Sequence, residues 1–313
     1  MLLAGDGPAG KQGRNVSFDV REFQLGHRPD LDNDAYHAAP GLSKSKLDAI
    51  APPSTPLHYW AKHVDPNREP EKKTEALILG DAIHKAVLEP DLVAQHFVEV
   101  PADAPKKPSI AQINAKNPSA ESRGSIDYWA GFNAEHKGKI ILKAEEMKMV
   151  LRVRDTVHRH PVAGGLFAGG RAEQSYFAID PDTGLLVKCR LDYDLLEQEG
   201  TVVDLKTTIS AAPRAFGYSA TDYRYDGQRV WYDDVLFNAF GERVVEQFVF
   251  VAVEKEWPHA IGVYYHDPAP TEMAEVRAEL RRDALLIQKC HETGYWPDYA
   301  EEPQRLRIAR RRD

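Results

Sequence analysis

The strongest structural signal in this sequence is the segment Val202-Val203-Asp204-Leu205-Lys206-Thr207. Its apolar residues are typical of a buried β-strand, and Asp204 and Lys206 point to the same face because alternate strand side chains do. A charge on an otherwise buried strand is costly unless it is paired or bound to a metal. By itself an Asp-x-Lys pair is usually a surface ion pair on an edge strand, so the neighbouring elements decide its meaning.

A second carboxylate precedes this segment at a distance that suits a hairpin. Asp192, in Cys189-Arg190-Leu191-Asp192-Tyr193-Asp194, stands 12 residues before Asp204 near the end of another predicted strand. Two carboxylates and a lysine at the ends of adjacent strands suit Mg²⁺, which prefers one or two carboxylates together with phosphate and water oxygens. We therefore expect a magnesium site beside the Lys206 amine.

Hydrophobic periodicity along the rest of the chain predicts an α/β fold, a mixed β-sheet flanked by helices with a helical N-terminal portion. Short helices are expected after Ser43 and from Pro56, and longer ones over residues 75–89, 126–133 and 143–159. The later elements are predicted as strands over 174–179, 186–195 and 201–206, helices over 211–216 and 222–240, strands over 246–254 and 260–266, and a helix over 271–291.

The same patterns predict how the chain is divided. Residues 1–40 are predicted to be a poorly ordered lead-in, with local order near 16–23. Residues 41–300 are expected to form one domain, with a helical part over 41–160 and a sheet-containing catalytic core over 170–292. The segment 101–125, rich in Pro, Lys, Ser and Asn, is predicted to be a long flexible loop, and residues 301–313 a basic tail.

Composition excludes several classes of protein. With 313 residues, 42% hydrophobic and 28% charged, the chain is typical of a globular protein. Its net charge of −8 argues against a protein that coats DNA, although a local basic groove and bound metal would still allow a nucleic-acid enzyme. Two cysteines exclude a disulfide framework and an iron–sulfur cluster held by four thiolates. Because no apolar run approaches 18–20 residues, we expect no membrane association and a cytoplasmic location.

Five further residues stand where chemistry could use them. Gly80 and His84 are four apart on one predicted helix face, Glu173 begins the first strand, and Gln228 and Tyr232 are four apart on the helix after the Asp-Leu-Lys strand. Taken singly, His84 is more often a core histidine, Glu173 an ordinary strand residue, and Gln228 and Tyr232 surface and core residues. Considered together, in the order in which they follow one another along the chain, these residues suggest a shared functional site.

That order resembles the RecB-like branch of the PD-(D/E)XK nuclease superfamily, and more narrowly the exonuclease VIII (RecE-type) proteins of phages and prophages. The resemblance covers about residues 35–300. The segments that carry it are Tyr36-His37, Leu42-Ser43-Lys44-Ser45-Lys46-Leu47, Pro56-Leu57-His58-Tyr59-Trp60, Leu79-Gly80-Asp81-Ala82-Ile83-His84, Arg190-Leu191-Asp192-Tyr193-Asp194 and Gly294-Tyr295-Trp296-Pro297. Leu191 stands where the superfamily's nominal motif has proline, a common departure in this branch.

The resemblance implies a role for each matching residue. His84, Asp192, Asp204 and the Leu205 carbonyl match metal-binding positions, and Glu173 matches an acid that helps to hold the metal or its water. Lys206 matches the catalytic lysine, while Gln228 and Tyr232 match a pair that helps to fix the substrate strand and the site.

The resemblance also implies an activity. It would be a Mg²⁺-dependent exodeoxyribonuclease, with Mn²⁺ able to substitute, that acts on double-stranded DNA ends and leaves a 3′ single strand for recombination. By the same resemblance the protein would form a homo-oligomeric ring and work with a RecT-type single-strand annealing protein. Its location would be the cytoplasm of a bacterial host. The sequence lacks a Gly-x-x-x-x-Gly-Lys-[Ser/Thr] loop, which agrees with ATP independence.

Local basic clusters are the candidate DNA contacts, although such clusters are often only solvated surfaces. The candidates are Lys44, Lys46, Lys106, Lys107, Arg152 and Arg154, with Arg305, Arg307, Arg310, Arg311 and Arg312 in the tail.

Three alternatives remain open from the sequence. The first is a catalytically silent DNA-binding or interaction module on the same fold, against which the intact Asp192, Asp204 and Lys206 speak. The second is a nuclease of different polarity or substrate. The third is a metal-independent hydrolase with paired carboxylates, which would leave Lys206 and His84 without a role.

Overall fold

The computed structural model describes residues 24–68, 74–300 and 302–306. The strands are β1 (Gly26–Arg28), β2 (Phe97–Glu99), β3 (Ile140–Leu142), β4 (Arg171–Ile179), β5 (Leu186–Leu195), β6 (Thr201–Thr208), β7 (Gln247–Glu254) and β8 (Ile261–Tyr265). The helices are α1 (Asn33–Ala38), α2 (Lys44–Asp48), α3 (Pro56–His63), α4 (Glu75–Leu88), α5 (Val93–His96), α6 (Ile110–Ile113), α7 (Ala120–Glu135), α8 (Ala144–Arg159), α9 (Ala163–Leu166), α10 (Leu196–Glu199), α11 (Pro213–Asp222), α12 (Tyr225–Phe240) and α13 (Pro270–Thr293).

Six strands form a mixed sheet in the order β1-β4-β5-β6-β7-β8. The pairs β1–β4, β4–β5, β5–β6 and β7–β8 are antiparallel, whereas β6 and β7 are parallel. A parallel pair needs a long crossover, and here α11 and α12 supply it. Between β5 and β6 only the four-residue α10 intervenes, so the two carboxylate-bearing strands are immediate neighbours.

Apolar side chains cover both faces of the sheet, which places the polar residues of β6 between two helical layers. Phe248 and Phe250 of β7 pack in a core with α12 and α13, while Val249 and Val251 pack in a second core with α4 and α8. Alternate residues of a strand face opposite sides, so both layers have continuous apolar contact with the sheet. The predicted α/β class with a mixed sheet flanked by helices is confirmed.

The N-terminal prediction is partly wrong. Within the predicted lead-in 1–40, residues 26–28 form β1 and residues 33–38 form α1. The polar segment is held by a distant residue, because the buried Lys188 Nζ donates hydrogen bonds to the carbonyl oxygens of Tyr36 (2.6 Å) and Ala39 (2.7 Å). The expected local order near residues 16–23 lies outside the described residues.

The predicted loop over 101–125 is also corrected, because it contains α6 and the first turns of α7. Ser109 and Ser119 cap these helices through their side chains, a signal typical of helix starts. The non-helical part is fixed by Ser125 Oγ, which donates to the Lys106 carbonyl (2.6 Å), and by Trp129 Nε1, which donates to the Pro105 carbonyl (2.9 Å).

Lys188 gives the fold a pH dependence. Burial, with a smaller contribution from the positive charge of Lys46, lowers its pKa to about 7, well below the pKa near 10.4 of an unfolded lysine. Between these values the unfolded chain binds more protons, so stability contributed at this site rises with pH. We expect the free energy of unfolding of the wild type, relative to Lys188→Met, to increase by about 1–2 kcal/mol from pH 7 to pH 9. Urea titrations at several pH values measure the free energy of unfolding of both proteins. If it changed with pH by the same amount in the wild type and in Lys188→Met, the prediction would be contradicted.

Among the described residues, no helix combines the length and the apolar character that crossing a membrane requires.

Candidate active site

Asp204 and Lys206 of β6 form the centre of the site. The Asp204 Oδ1 and Lys206 Nζ atoms are 2.6 Å apart, and the Asp204 residue is 1% exposed. The alternation of strand side chains brings them to one face, as the sequence predicts. Because burial weakens screening by water, this ion pair holds the lysine charged, and the neighbouring carboxylates raise the pKa of Lys206.

Gln228, on α12, contacts both members of this pair. Its Oε1 accepts a hydrogen bond from Lys206 Nζ (2.9 Å), and its Nε2 donates to Asp204 Oδ2. A buried amide with both ends engaged fixes the orientation of its partners. The structure thus brings together three of the predicted site residues and gives Gln228 a defined contact with each of the other two.

Asp192 of β5 lies beside this cluster. Its Oδ2 accepts the backbone N–H of Leu205 (2.9 Å) and lies 3.5 Å from His84 Nδ1, which reaches the site from α4. Burial and the negative charge of Asp204 raise the pKa of Asp192, whereas burial and the charge of Lys206 lower the pKa of His84. Both shifts follow from removing charge from water and from like-charge repulsion.

Glu173 makes an ion pair that the sequence did not indicate. Its Oε2 accepts a 2.5 Å hydrogen bond from Arg190 Nε on β5, and Arg190 also donates to the Leu31 carbonyl (2.9 Å). The residue has a φ of 57°, an uncommon conformation for a non-glycine residue, and one often found at functional sites. Its negative charge nevertheless contributes to the raised pKa of Asp192, so it lies within electrostatic reach of the site.

Tyr232 lies one turn beyond Gln228 on α12 and packs edge-on against Phe248, with ring centroids 5.9 Å apart. Burial, and then the charge of Asp204, raises its pKa. Its side chain is therefore a neutral phenol near the carboxylates. The predicted proximity of Tyr232 to the site agrees with this placement.

Sequence reasoning missed two aromatic residues of the site. The Lys206 ammonium lies 4.6 Å from the ring centroid of Tyr225 and 5.9 Å from that of Phe250. Cation–π contacts of this kind stabilise a desolvated ammonium. A signal was available, because Tyr225 stands three residues before Gln228 on the same helix face, while Phe250 is opposite Asp204 in the β6–β7 register.

The donor set fits a divalent cation in part. Asp204 Oδ1 is buried against the Lys206 ammonium at 2.6 Å, and the half-buried carboxylate of Asp192 lies close enough to Asp204 to be repelled by its charge. Such oxygens are the ligands that Mg²⁺ and Mn²⁺ prefer. Within the described parts of the chain, however, no three His, Cys, Asp or Glu side chains are already grouped as a metal cluster. Asp204 is turned to Lys206 and Gln228, and Glu173 to Arg190.

Lys44, a candidate DNA contact, is buried in the structure. This residue is 9% exposed, and its Nζ donates to the Tyr223 carbonyl (2.7 Å) and pairs with Asp48 (2.7 Å). Lys46 Nζ is likewise engaged, by the Gly41 carbonyl at 2.8 Å. Both ammonium groups replace lost water contacts with protein contacts, which leaves them poorly placed to bind phosphates.

The other basic candidates divide into two groups. Arg154 pairs with Asp155 at 2.6 Å, so part of its charge is already neutralised. Lys106, Lys107, Arg152 and Arg305 are exposed and remain predictions as DNA contacts. Arg307, Arg310, Arg311 and Arg312 lie outside the described residues.

Comparisons with known proteins identify a family that matches the sequence and solved structures that resemble the fold. A family model described as a PDDEXK-like domain of unknown function (DUF3799) matches residues 43–309. A solved structure of a candidate exonuclease from Eubacterium rectale has a TM-score of 0.57 and 15% sequence identity, over 89% of this chain and 96% of that chain. An alkaline exonuclease from Laribacter hongkongensis has a TM-score of only 0.28 and 12% identity, over 59% of this chain and 87% of that chain. The first likeness shows a shared fold, and the second is too weak to carry an argument. No curated protein matches the sequence significantly.

Proposed function

The chain belongs to the family of PDDEXK-like domains of unknown function (DUF3799), and we propose that it is a divalent-metal-dependent exodeoxyribonuclease acting on linear double-stranded DNA. Membership confirms the resemblance to the PD-(D/E)XK superfamily. The activity, its metal and its substrate are the proposal.

One observation carries the proposal: Asp192, Asp204, Lys206 and Gln228 lie together on two adjacent strands and one helix, largely buried and joined by direct contacts. A largely buried lysine beside two carboxylates is costly to take out of water, and well-packed apolar residues would often stabilise the fold as well or better. This cost favours a functional role for the three charges. The same set suits hydrolysis of a phosphodiester, which needs a held cation and a positioned amine.

Asp192, Asp204 and the Leu205 carbonyl would hold Mg²⁺ or Mn²⁺, with His84 beside Asp192, and the bound ion would supply electrostatic stabilisation of the phosphate. The charged Lys206 would orient the attacking water and offset negative charge that develops on the phosphate. Gln228 holds Lys206 and Asp204 in a fixed relation, so neither has to reorganise during the reaction. Glu173 would act from a greater distance through its charge, restrained by Arg190.

The finer parts of the proposal come from the resemblance. They are ATP-independent digestion from the 5′ end, a 3′ single-stranded product for recombination, a ring-shaped homo-oligomer, a RecT-type annealing partner, and the cytoplasm of a bacterial host. A ring would allow an acidic exterior to surround a basic DNA path, which agrees with a net charge of −8.

The assay compares one plasmid in linear and covalently closed form, with Mg²⁺ and without ATP. We expect the linear form to be degraded and the closed form to be spared, because an exonuclease requires an end. Labels at the 5′ or the 3′ end then show the polarity. Equal cutting of both forms would indicate an endonuclease, and no cutting of either would favour a silent DNA-binding module.

A further inference from the structure

The turn between α11 and α12 presents an exposed tyrosine next to the proposed active site. Tyr223 is 65% exposed, and its ring stacks on that of Tyr225 with centroids 5.9 Å apart and planes 19° apart. The Tyr225 ring in turn lies 4.6 Å from Lys206 Nζ. An outward-facing aromatic ring is thus connected to the central lysine through a single intervening side chain.

Contacts with buried residues fix the backbone of this turn. The buried Lys44 Nζ donates to the Tyr223 carbonyl at 2.7 Å. Arg224 has a φ of 51°, which is unfavourable for a residue with a side chain, and its guanidinium lies 3.3 Å from a carboxylate oxygen of the buried Asp283. A strained conformation persists only where the surroundings impose it. Lys44, first considered a DNA contact, therefore acts here by fixing the backbone that carries Tyr223.

The exposed Tyr223 ring on a fixed backbone is better suited to binding a ligand than to packing in the protein core. The exposed ring of Tyr223 contributes little to the core, yet its backbone is fixed by a buried ammonium and a strained neighbour. Every nucleobase has a π-face that stacks on an aromatic side chain, in a way that tolerates any sequence. Inside a duplex both faces of a base are already stacked, so only a terminal or unpaired base can offer a free face.

We propose that Tyr223 binds the base of a terminal or unpaired nucleotide by stacking, while the Asp192, Asp204 and Lys206 cluster acts on the backbone of the same strand end. This inference rests on the proposed nuclease function and adds a feature to it. The protein recognises a frayed strand end through an aromatic platform as well as through phosphate contacts.

The test uses duplex substrates in which the terminal nucleotide of either the 5′ or the 3′ strand end lacks its base. For the wild type we expect kcat/KM to fall by about 5- to 100-fold when the base is removed at the end that enters the site, the range that a lost base–aromatic stack gives. Tyr223→Ala should lose a similar factor on normal DNA and become insensitive to removal of the base. Tyr223→Trp should retain both the rate and the sensitivity.

The matched control is Tyr218→Ala, since Tyr218 is 61% exposed on the adjoining α11 and its ring lies near Arg214 instead. It should behave as the wild type. A Tyr223→Ala protein that keeps the wild-type rate, or that still responds to loss of the base, would overturn the stacking proposal.

A binding measurement separates this proposal from the nuclease function. With Asp204→Asn as background and 2-aminopurine as the terminal base, binding should quench its fluorescence, and adding Tyr223→Ala should remove the quenching. Unchanged quenching would overturn the stacking proposal even if the enzyme is active. A wild type that leaves linear DNA intact while the quenching depends on Tyr223 would overturn only the nuclease function.

Discussion

Replacing Asp204 by asparagine is expected to lower the rate of linear duplex degradation by about 100- to 1,000-fold or more, the usual cost of losing a charged group that supports a developing charge or holds a metal. Asparagine keeps the shape and an oxygen that can accept the Gln228 hydrogen bond. The change removes the ion pair with Lys206, which lowers stability, and also the repulsion with Asp192, which raises it. Because the near-isosteric side chain creates no cavity, we expect the melting temperature to fall by no more than about 10 °C. Single-turnover cleavage of end-labelled DNA and a thermal melt measure the two quantities.

Asp267→Asn serves as the control, because Asp267 is exposed and the same chemical change there should affect neither quantity. If Asp204→Asn retained the wild-type cleavage rate, the assignment of Asp204 to the reaction would be wrong. If the variant lost activity together with its fold, the result would instead show a structural role for this buried residue.

Divalent cations are expected to stabilise the wild type, with a rise in melting temperature of about 5 °C in saturating Mg²⁺ or Mn²⁺, and chelation should abolish cleavage. Burial and the charge of Asp204 raise the pKa of Asp192, so this pair is electrostatically unfavourable without a cation. A ligand at 100 times its dissociation constant adds about 2.7 kcal/mol to the free energy of unfolding, which corresponds to a shift of this order in a chain of this size.

The comparison that decides this prediction is the same titration on Asp204→Asn. Its melting temperature should rise much less, because one of the two carboxylates is gone. Asp267→Asn should respond as the wild type does. An equal rise in all three proteins would place the cation elsewhere, and the absence of any rise in the wild type would contradict metal binding by this cluster.

The central sheet could be predicted from sequence because its strands are long and apolar. β5, β6 and β7 each contain eight or more residues, with buried apolar side chains on both faces of the sheet, so local pattern and tertiary environment agree. β2 and β3 contain three residues each, too few to establish a period of two. α1 is polar and was missed because Lys188, about 150 residues away in sequence, provides its hydrogen bonds. β1 was missed because it has only three residues and pairs with the distant β4.

The site could be predicted only in outline. The alternation of residues on β6 places Asp204 and Lys206 together, and the resemblance supplies Gln228. The contact of Glu173 with Arg190 could not be predicted, because it depends on how two neighbouring strands align and on the unusual backbone of Glu173. Tyr225 and Phe250 were missed because an aromatic residue in a core pattern gives no sign that it faces an ammonium.

The short strand β1 also affects how this protein can be shortened for experiments. It pairs with Ser175–Phe177 of β4, and no other strand among the described residues lies on that side of the sheet. An uncovered strand edge offers unpaired backbone groups to other chains and is a common cause of aggregation. Phe177, fully buried against Tyr36, would be uncovered at the same time. A chain trimmed to the family match, which begins at residue 43, would therefore be expected to self-associate through β4, the strand that carries Glu173.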